Sequence, residues 1–520
     1  MPNRQSIEIQ RIYRLFQNRL SKIHTYDVCL LYMYCQGAAV EALSFLEQIA
    51  GLVFTNPFSR NREQIDCEIL DLPVGALPFQ ERLTGLQERT RWAIAALSGN
   101  KGFDIQVYRG SRRQTLTLAW LFHLYHEFYA RFERHIQGQQ QTRDQPAPVE
   151  FADDLVAAFS RSGFGAGETA HYIGLLFQAA RAFHFIDHLI QGQCPSMDRL
   201  REMLWNNIFT ANPKWYFNHL SGKMEDFSTL ILGETGTGKT LLASIMGRSG
   251  FIPFDLSSRR FVESFTSAFH AINLAQYPSS LLESELFGHR KGAFTGAVSD
   301  YAGVFARCSK HGAVFIDEIG DIDEPTQVKL LHVLQERTFS PIGSEKRMRF
   351  SGRVIAATHQ DIQALMESGA FRHDLFYRLC SDVIVMPTLR ERIKENPQEL
   401  KFMVQRLLPK ILHNPDRSLV SEIEAIILRS LPKDYPWRGN IRELEQWIRQ
   451  ICIRGTYDFS IHTSLGSETD VPVDYFDSQP SLEALINDYC RYLYHKYGSY
   501  EGVARAAGID RRTAKRYLGH

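Results

Sequence analysis

The chain has 520 residues, 44% hydrophobic and 22% charged, with a net charge of +1. That balance excludes a disordered polyelectrolyte and predicts a soluble globular protein of three or four domains, in which nucleic-acid affinity must come from a local patch. The eight cysteines form no C-x-x-C pair, the N-terminus carries charges where a signal peptide needs an apolar core, and no apolar run reaches bilayer length. Reduced thiols, a cytoplasmic location and no membrane contact are expected.

Residues 1–205 read as a mostly helical, regulatory region. Apolar residues recur at helical spacing over 7–20, over 116–132 with an aromatic stripe (Trp120, Phe122, Tyr125, Phe128, Tyr129, Phe132), and over 171–190. Residues 54–80 hold Pro57, Pro73 and Pro78 and are expected to form a short strand or loop. The polar stretch near 137–150 is expected to divide two helical subdomains. His184 and His188, with Asp187 beside them, share one helix face, and His123 and His126 sit among aromatics. Metal binding is conceivable there, but packed or surface histidines are the commoner outcome. No sensor motif names a signal.

The run Leu-Ile-Leu-Gly-Glu-Thr-Gly-Thr-Gly-Lys-Thr at 230–240 passes from an apolar strand into a glycine-rich loop and then a helix. This is the P-loop pattern. Gly233, Glu234, Thr235, Gly236, Thr237 and Gly238 would turn backbone N–H groups onto phosphates. Lys239 would reach the β- and γ-phosphates, and Thr240 would complete the shell of a Mg²⁺ ion. ATP is the expected ligand. About eighty residues on, a buried strand ends in Asp317 and Glu318. Asp317 is placed to hold Mg²⁺ and Glu318 to act as general base on the attacking water.

The segment Gly292-Ala293-Phe294-Thr295-Gly296-Ala297 sets an aromatic ring between small residues, a composition suited to an exposed contact loop. Here the chain resembles the AAA+ bacterial enhancer-binding proteins, which activate transcription by sigma-54 RNA polymerase, and matches their GAFTGA loop letter for letter. The resemblance spans about 206–455 and the extreme C-terminus. It implies an α/β AAA+ core at 206–388, a parallel sheet flanked by helices, and a helical lid at 389–455. It also implies a ring, read as a hexamer, whose loop at 292–297 engages sigma-54.

Other positions carry over singly. Asn273 stands where the family has an asparagine that bonds the catalytic glutamate, here Glu318. Thr358 matches sensor I, but His359 replaces the usual asparagine. Arg372 and Arg378 look like arginine fingers reaching a neighbouring subunit's ATP. Arg442 is the sensor II contact, with Arg438 where proline is usual. The span from Lys239 to Asn273 is about a dozen residues longer than the family leads us to expect, and its extra stretch at 251–269 has no function on this reading.

Residues 456–480 read as a linker, and 481–520 as a small all-α helix-turn-helix domain with Ser481 as a cap. It resembles the Fis-type domain that closes many of these activators. Arg511, Arg512 and Thr513 are candidates for contact with bases or phosphates of double-stranded DNA, and Lys515 and Arg516 for backbone contact. The expected function is an ATP-dependent activator that remodels sigma-54 holoenzyme. The alternatives are a remodeller of another protein and a DNA-binding regulator with an impaired ATPase.

Overall fold

The structure, a computed structural model, describes residues 25–98, 102–142, 144–432, 435–456, 482–497 and 499–518. The helix expected over 7–20, the linker beyond residue 456 and the Ser481 cap lie outside them. The chain divides into two units, Met1–Gly455 and Thr456–His520.

Among the described residues, the first unit begins with seven helices: α1 (Thr25–Val53), α2 (Arg62–Leu70), α3 (Phe79–Ser98), α4 (Gly110–Thr142), α5 (Ala152–Arg161), α6 (Ala166–Leu189) and α7 (Pro195–Phe209). The engine follows as β1 (Thr229–Leu232), α8 (Lys239–Arg248), β2 (Phe254–Asp255), β3 (Arg260–Phe261), β4 (Phe269–Asn273), α9 (Ser279–Phe287), α10 (Val304–Arg307) and β5 (Ala313–Asp317). It continues through α11 (Glu324–Glu336), β6 (Thr338–Phe339), β7 (Met348–Arg349), β8 (Arg353–Thr358), α12 (Ile362–Glu367), α13 (His373–Leu379) and β9 (Asp382–Val385). Four lid helices close the unit: α14 (Leu389–Glu395), α15 (Glu399–Ile411), α16 (Arg417–Ser430) and α17 (Asn440–Arg454).

Five strands form one sheet in the order β4-β5-β8-β1-β9, every pair parallel. Side chains alternate between faces along each strand. Ile231, Phe315, Ile355 and Ala357 join a core shared with the N-terminal helices, whereas Leu230, Val314, Ile316, Val354 and Ala356 join a second core with α9, α11 and α13. Both faces are therefore covered, which is why these strands read as unbroken apolar runs.

This arrangement revises the expectations for the N-terminal third. Its apolar core is continuous with that of the engine instead of separate. Residues 54–80 contain the helix α2, not a strand. The polar stretch near 137–150 is not a free divider: α4 runs through Thr142, and buried Gln139 accepts from the Ala147 N–H at 2.7 Å and donates to the Gln145 carbonyl at 2.8 Å. Helix α7 crosses the expected boundary at 205 without a break.

The extra stretch at 251–269 now has a structural account. It folds into the β2–β3 hairpin and docks on the helices. Phe261 stacks on Phe177 of α6 at 3.8 Å between ring centroids, and Arg259 pairs with Asp153 of α5 at 2.7 Å. Fully buried Arg181 of α6 donates to the carbonyls of Arg248 and Gly250 at 2.6 Å each, and its guanidinium lies over the ring of Phe177. Those carbonyls belong to the C-terminal end of α8, the helix that follows the P-loop, where a cation is favoured by the helix dipole.

In the second unit, α18 (Leu482–Tyr497), α19 (Tyr500–Ala507) and α20 (Arg511–Tyr517) enclose a core of Cys490, Leu493, Val503 and Ala514. Gly508, at φ +68°, ends α19 in the left-handed region that favours glycine, and Asp510 caps α20. Among the described residues no helix is long and apolar enough to cross a membrane.

Candidate nucleotide site and contact loop

The P-loop leaves β1 at Gly233 and enters α8 at Lys239. Gly236 needs to be glycine twice over: its φ is +82°, and a Cβ there would meet the Gly439 carbonyl of the lid at 2.1 Å. Lys239 is buried, and its ammonium donates to the carbonyls of Gly233 at 2.8 Å and Glu234 at 3.3 Å. Burial lowers its pKa, opposed by the nearby Glu318 and Asp317 carboxylates.

The Thr240 hydroxyl donates to Asp317 Oδ2 at 3.4 Å, so the two residues read as Mg²⁺ holders do meet. Burial and the adjacent Glu318 push the Asp317 carboxyl up. Glu318 itself sits at φ +58°, a left-handed conformation that costs about 1 kcal/mol in a non-glycine residue and aims its side chain off the end of the strand.

The partner expected for Glu318 is not the one it has. Asn273 Oδ1 accepts from the Ala275 N–H at 3.0 Å, capping the turn after β4. Glu318 Oε2 is instead held by His359, 2.7 Å from Nδ1 and 3.2 Å from the backbone N–H. The substitution at sensor I thus contacts the candidate base directly. Thr358 is fully buried next to the P-loop, in register with Leu232, and accepts from the Gln360 N–H at 3.1 Å.

Lid and P-loop are latched by residues that sequence reasoning missed. Glu234 forms a two-pronged pair with Arg390, which holds its carboxyl below the usual range. Buried Asn440 donates to Glu234 Oε2 and to the Thr235 carbonyl, both at 3.1 Å, and accepts from the Leu389 N–H at 2.8 Å. Glu234, read as a phosphate-loop residue, is thus tied to the lid. Arg442 stands against the same loop, its Cβ 3.1 Å from where a Cβ on Gly236 would lie. Arg438 is exposed.

Of the two candidate fingers, Arg372 pairs with Asp374 at 2.8 Å and Glu324 at 3.2 Å of its own chain, and these carboxylates raise its pKa. Arg378 is exposed and donates from Nε to the Leu334 carbonyl at 3.0 Å.

The loop at 292–297 is a closed turn. Gly292 N–H donates to the Ala297 carbonyl at 2.8 Å and Ala297 N–H to the Phe294 carbonyl at 3.0 Å. Gly292 and Gly296 have φ of +81° and +102° with open space around them, so backbone conformation and not packing demands glycine. Phe294 departs from the expected exposed ring. It is half-buried, edge-on to His289 at 4.9 Å, leaving Thr295 and Gly296 as the exposed tip.

On α20, Arg512, Lys515 and Arg516 are exposed, and Arg511 pairs with Glu501 at 2.9 Å. Thr513 differs from expectation, because its hydroxyl is engaged by Asp510 at 2.6 Å as part of the cap. In the N-terminal helices, the carboxylate facing His184 and His188 is Glu133 of α4, at 3.3 and 3.7 Å, while Asp187 stands 3.8 Å from His188. His188 Nδ1 also lies 2.9 Å from the His184 carbonyl. His184 is buried and His188 exposed, and one ligand atom from each of Glu133, His184 and His188 lies within 4.8 Å of the others.

Residues 218–385 match the family model described as the Sigma-54 interaction domain. The chain is 39% identical over 227 residues to the DNA-binding transcriptional regulator NtrC of Azospirillum brasilense, covering 44% of this chain and 43% of that protein. It is 42% identical over 226 residues to the hydrogenase transcriptional regulatory protein HoxA of Cupriavidus necator, covering 43% and 42%. To the Nif-specific regulatory protein of Azotobacter vinelandii it is 35% identical over 300 residues, covering 57% and 51%. The chain spans about half the length of the curated relatives it matches.

Proposed function

We propose that the chain, whose residues 218–385 match the sigma-54 interaction domain, is an ATP-driven activator of sigma-54 RNA polymerase, like the bacterial enhancer-binding proteins it resembles. The observation that carries this reading is the meeting of Lys239, Thr240, Asp317 and Glu318 beyond the C-terminal ends of β1 and β5, in the same domain as an exposed turn at 292–297.

The hydroxyl of Thr240 and the carboxylate of Asp317 form a hard-oxygen pair that suits Mg²⁺, which when bound neutralises charge on the β- and γ-phosphates. Lys239 exchanges its two carbonyl partners for phosphate oxygens, with the P-loop N–H groups alongside. Glu318 takes the proton of the attacking water once it leaves His359. Arg372 and Arg378 act on the ATP of the next subunit in a ring, read as a hexamer, and Arg442 contacts the phosphates from the lid. The hydrolysis cycle moves the tip at Thr295 against sigma-54. Arg511, Arg512, Lys515 and Arg516 hold double-stranded DNA, and residues 1–205 regulate the engine.

The test is open-complex formation by the full chain with ATP, sigma-54 holoenzyme and a promoter that requires it. Thr295→Ala should leave hydrolysis within about twofold while abolishing open complexes. Hydrolysis at full rate with no open complex at any concentration of the wild-type chain overturns the reading. Replacing Arg511 and Arg512 by alanine should weaken DNA binding and lower its salt dependence by about one unit per lost phosphate contact, leaving hydrolysis alone.

A further inference from the structure

Between α1, α3, α4, α6 and α7 lies a cavity of about 220 Å³ that the nucleotide chemistry does not use. Its walls are overwhelmingly apolar: Leu83 of α3, Leu121 and Phe122 of α4, Ala179 and Phe183 of α6, and Trp205 of α7. Polar side chains interrupt them at Thr55, Arg62, Gln80 and the neighbours Tyr125 and His126, whose rings stand 5.0 Å apart. Neither of these two has a hydrogen-bond partner among the described residues, and both are half-buried. Burial pushes His126 down to about 3 and Tyr125 well up, so both are neutral. The nearby cation, Arg62, is already matched by Asp66 at 2.8 Å, so the cavity offers no free charge to an ion.

The helices that wall the cavity are also the ones tied to the engine. On α6, Ala179 and Phe183 face the cavity, while Gln178 and Arg181 of the same helix donate to the carbonyls of Ser249, Arg248 and Gly250 at the end of α8. On α7, Trp205 and Phe209 face the cavity, while Asn207 donates to Thr229 of β1 at 3.0 Å and Asp382 of β9 at 2.6 Å, and accepts from Arg353 of β8 at 2.8 Å. The connection between α6 and α7 grips the lid: Gln193 N–H donates to Glu399 at 2.7 Å, and Arg392 donates to the Gln191 carbonyl at 3.0 Å. A change in the spacing of α4 from α6 and α7 therefore bears on the P-loop helix, three strands and the lid together.

We propose that this cavity binds an uncharged, largely apolar small molecule carrying one hydroxyl or carbonyl group, seated between Tyr125 and His126, and that its occupancy is transmitted to the ATPase through α6 and α7. The chemistry follows from the walls: apolar surface supplies affinity, and the two neutral groups fix one polar end. The transmission half rests on the reading of residues 1–205 as regulatory.

The experiment titrates the full chain with 2-naphthol, acetophenone and 1-octanol by calorimetry. At least one should bind saturably at one site. Ala179→Phe and Leu83→Phe, which place a ring in the cavity, should each weaken that binding at least tenfold without lowering the thermal unfolding midpoint. Tyr125→Phe keeps the volume and should weaken 2-naphthol threefold to tenfold. No saturable binding by any of the three probes, or binding indifferent to both filling substitutions, overturns the site. At saturating probe, ATP hydrolysis should change at least threefold in the wild type and not in Ala179→Phe. Intact binding with unchanged hydrolysis overturns the transmission. Calorimetry requires neither polymerase nor DNA, so a failure to form open complexes sinks the proposed function while leaving the cavity standing.

Discussion

Lys239 at the P-loop and Arg181 beneath it are both buried cations within one unit, and the chain uses them in opposite ways. Lys239 rests on two carbonyls of its own loop, with Asp317 and Glu318 close by, and the proposed function has it exchange those carbonyls for phosphate. Arg181 is committed, two carbonyls taking its N–H groups and two aromatic faces, Phe177 and Phe265, covering its plane. Burial lowers its pKa to about 9, which still leaves it charged at neutral pH. The difference teaches where stability is given up and where it is kept. A catalytic charge needs partners it can leave, whereas a structural one needs partners it cannot.

The largest effect should come from breaking the first half of that contrast. Lys239→Ala should reduce hydrolysis at least about a thousandfold, about 4 kcal/mol of barrier, while leaving the urea unfolding midpoint unchanged or slightly raised. A steady-state phosphate-release assay and tryptophan fluorescence in urea read the two quantities. Arg181→Leu should do the reverse. It strands two carbonyls at the end of α8 and should lower stability by about 3 kcal/mol, seen as an earlier urea transition. A midpoint shift equal to that of an exposed arginine would show that the seam is not a fixed clamp.

A smaller effect is expected at His359, which stands between the two regimes because it occupies Glu318 without being buried. His359→Asn should release Glu318 and raise the hydrolysis rate about threefold to tenfold, on the order of 1 kcal/mol. A fall in rate would mean that the imidazole positions Glu318 for catalysis. The smallest effect belongs to Asp153, whose pair with Arg259 is largely exposed at 84% and 40% of the two side chains. Asp153→Ala should move the unfolding midpoint by less than about 1 kcal/mol, since solvent screens such pairs. A large loss there would place the hold of the hairpin on that ion pair and not on the stack of Phe261 with Phe177.

The parts of the site that were legible in the sequence share a physical reason. The P-loop, the Asp317–Glu318 pair and the turn at 292–297 each fix their own backbone locally, through glycines at positive φ and a strand that ends abruptly. Such features appear as contiguous letters. The latch of Glu234 to Arg390 and Asn440 was not legible because its halves lie 156 and 206 positions apart. Likewise nothing in a lone His359 says that it will reach Glu318, 41 residues earlier, ahead of Asn273. Phe294 looked like a free ring because its neighbours are small. Its contact with His289 depends on the loop folding back upon its own stem.

By itself the sequence determined the strand–loop–helix course of the P-loop, the carboxylates at the end of β5, and the glycine-framed turn at 292–297. Each depends on local backbone geometry and on apolar alternation, which a linear pattern records. Only the tertiary structure decided that the stretch at 251–269 clamps the helical region to the engine, that the two share one core, and that a neutral cavity lies among helices bonded to the sheet. Those outcomes depend on which distant surfaces exclude water together, and hydrophobic burial has no direction that a sequence could spell out.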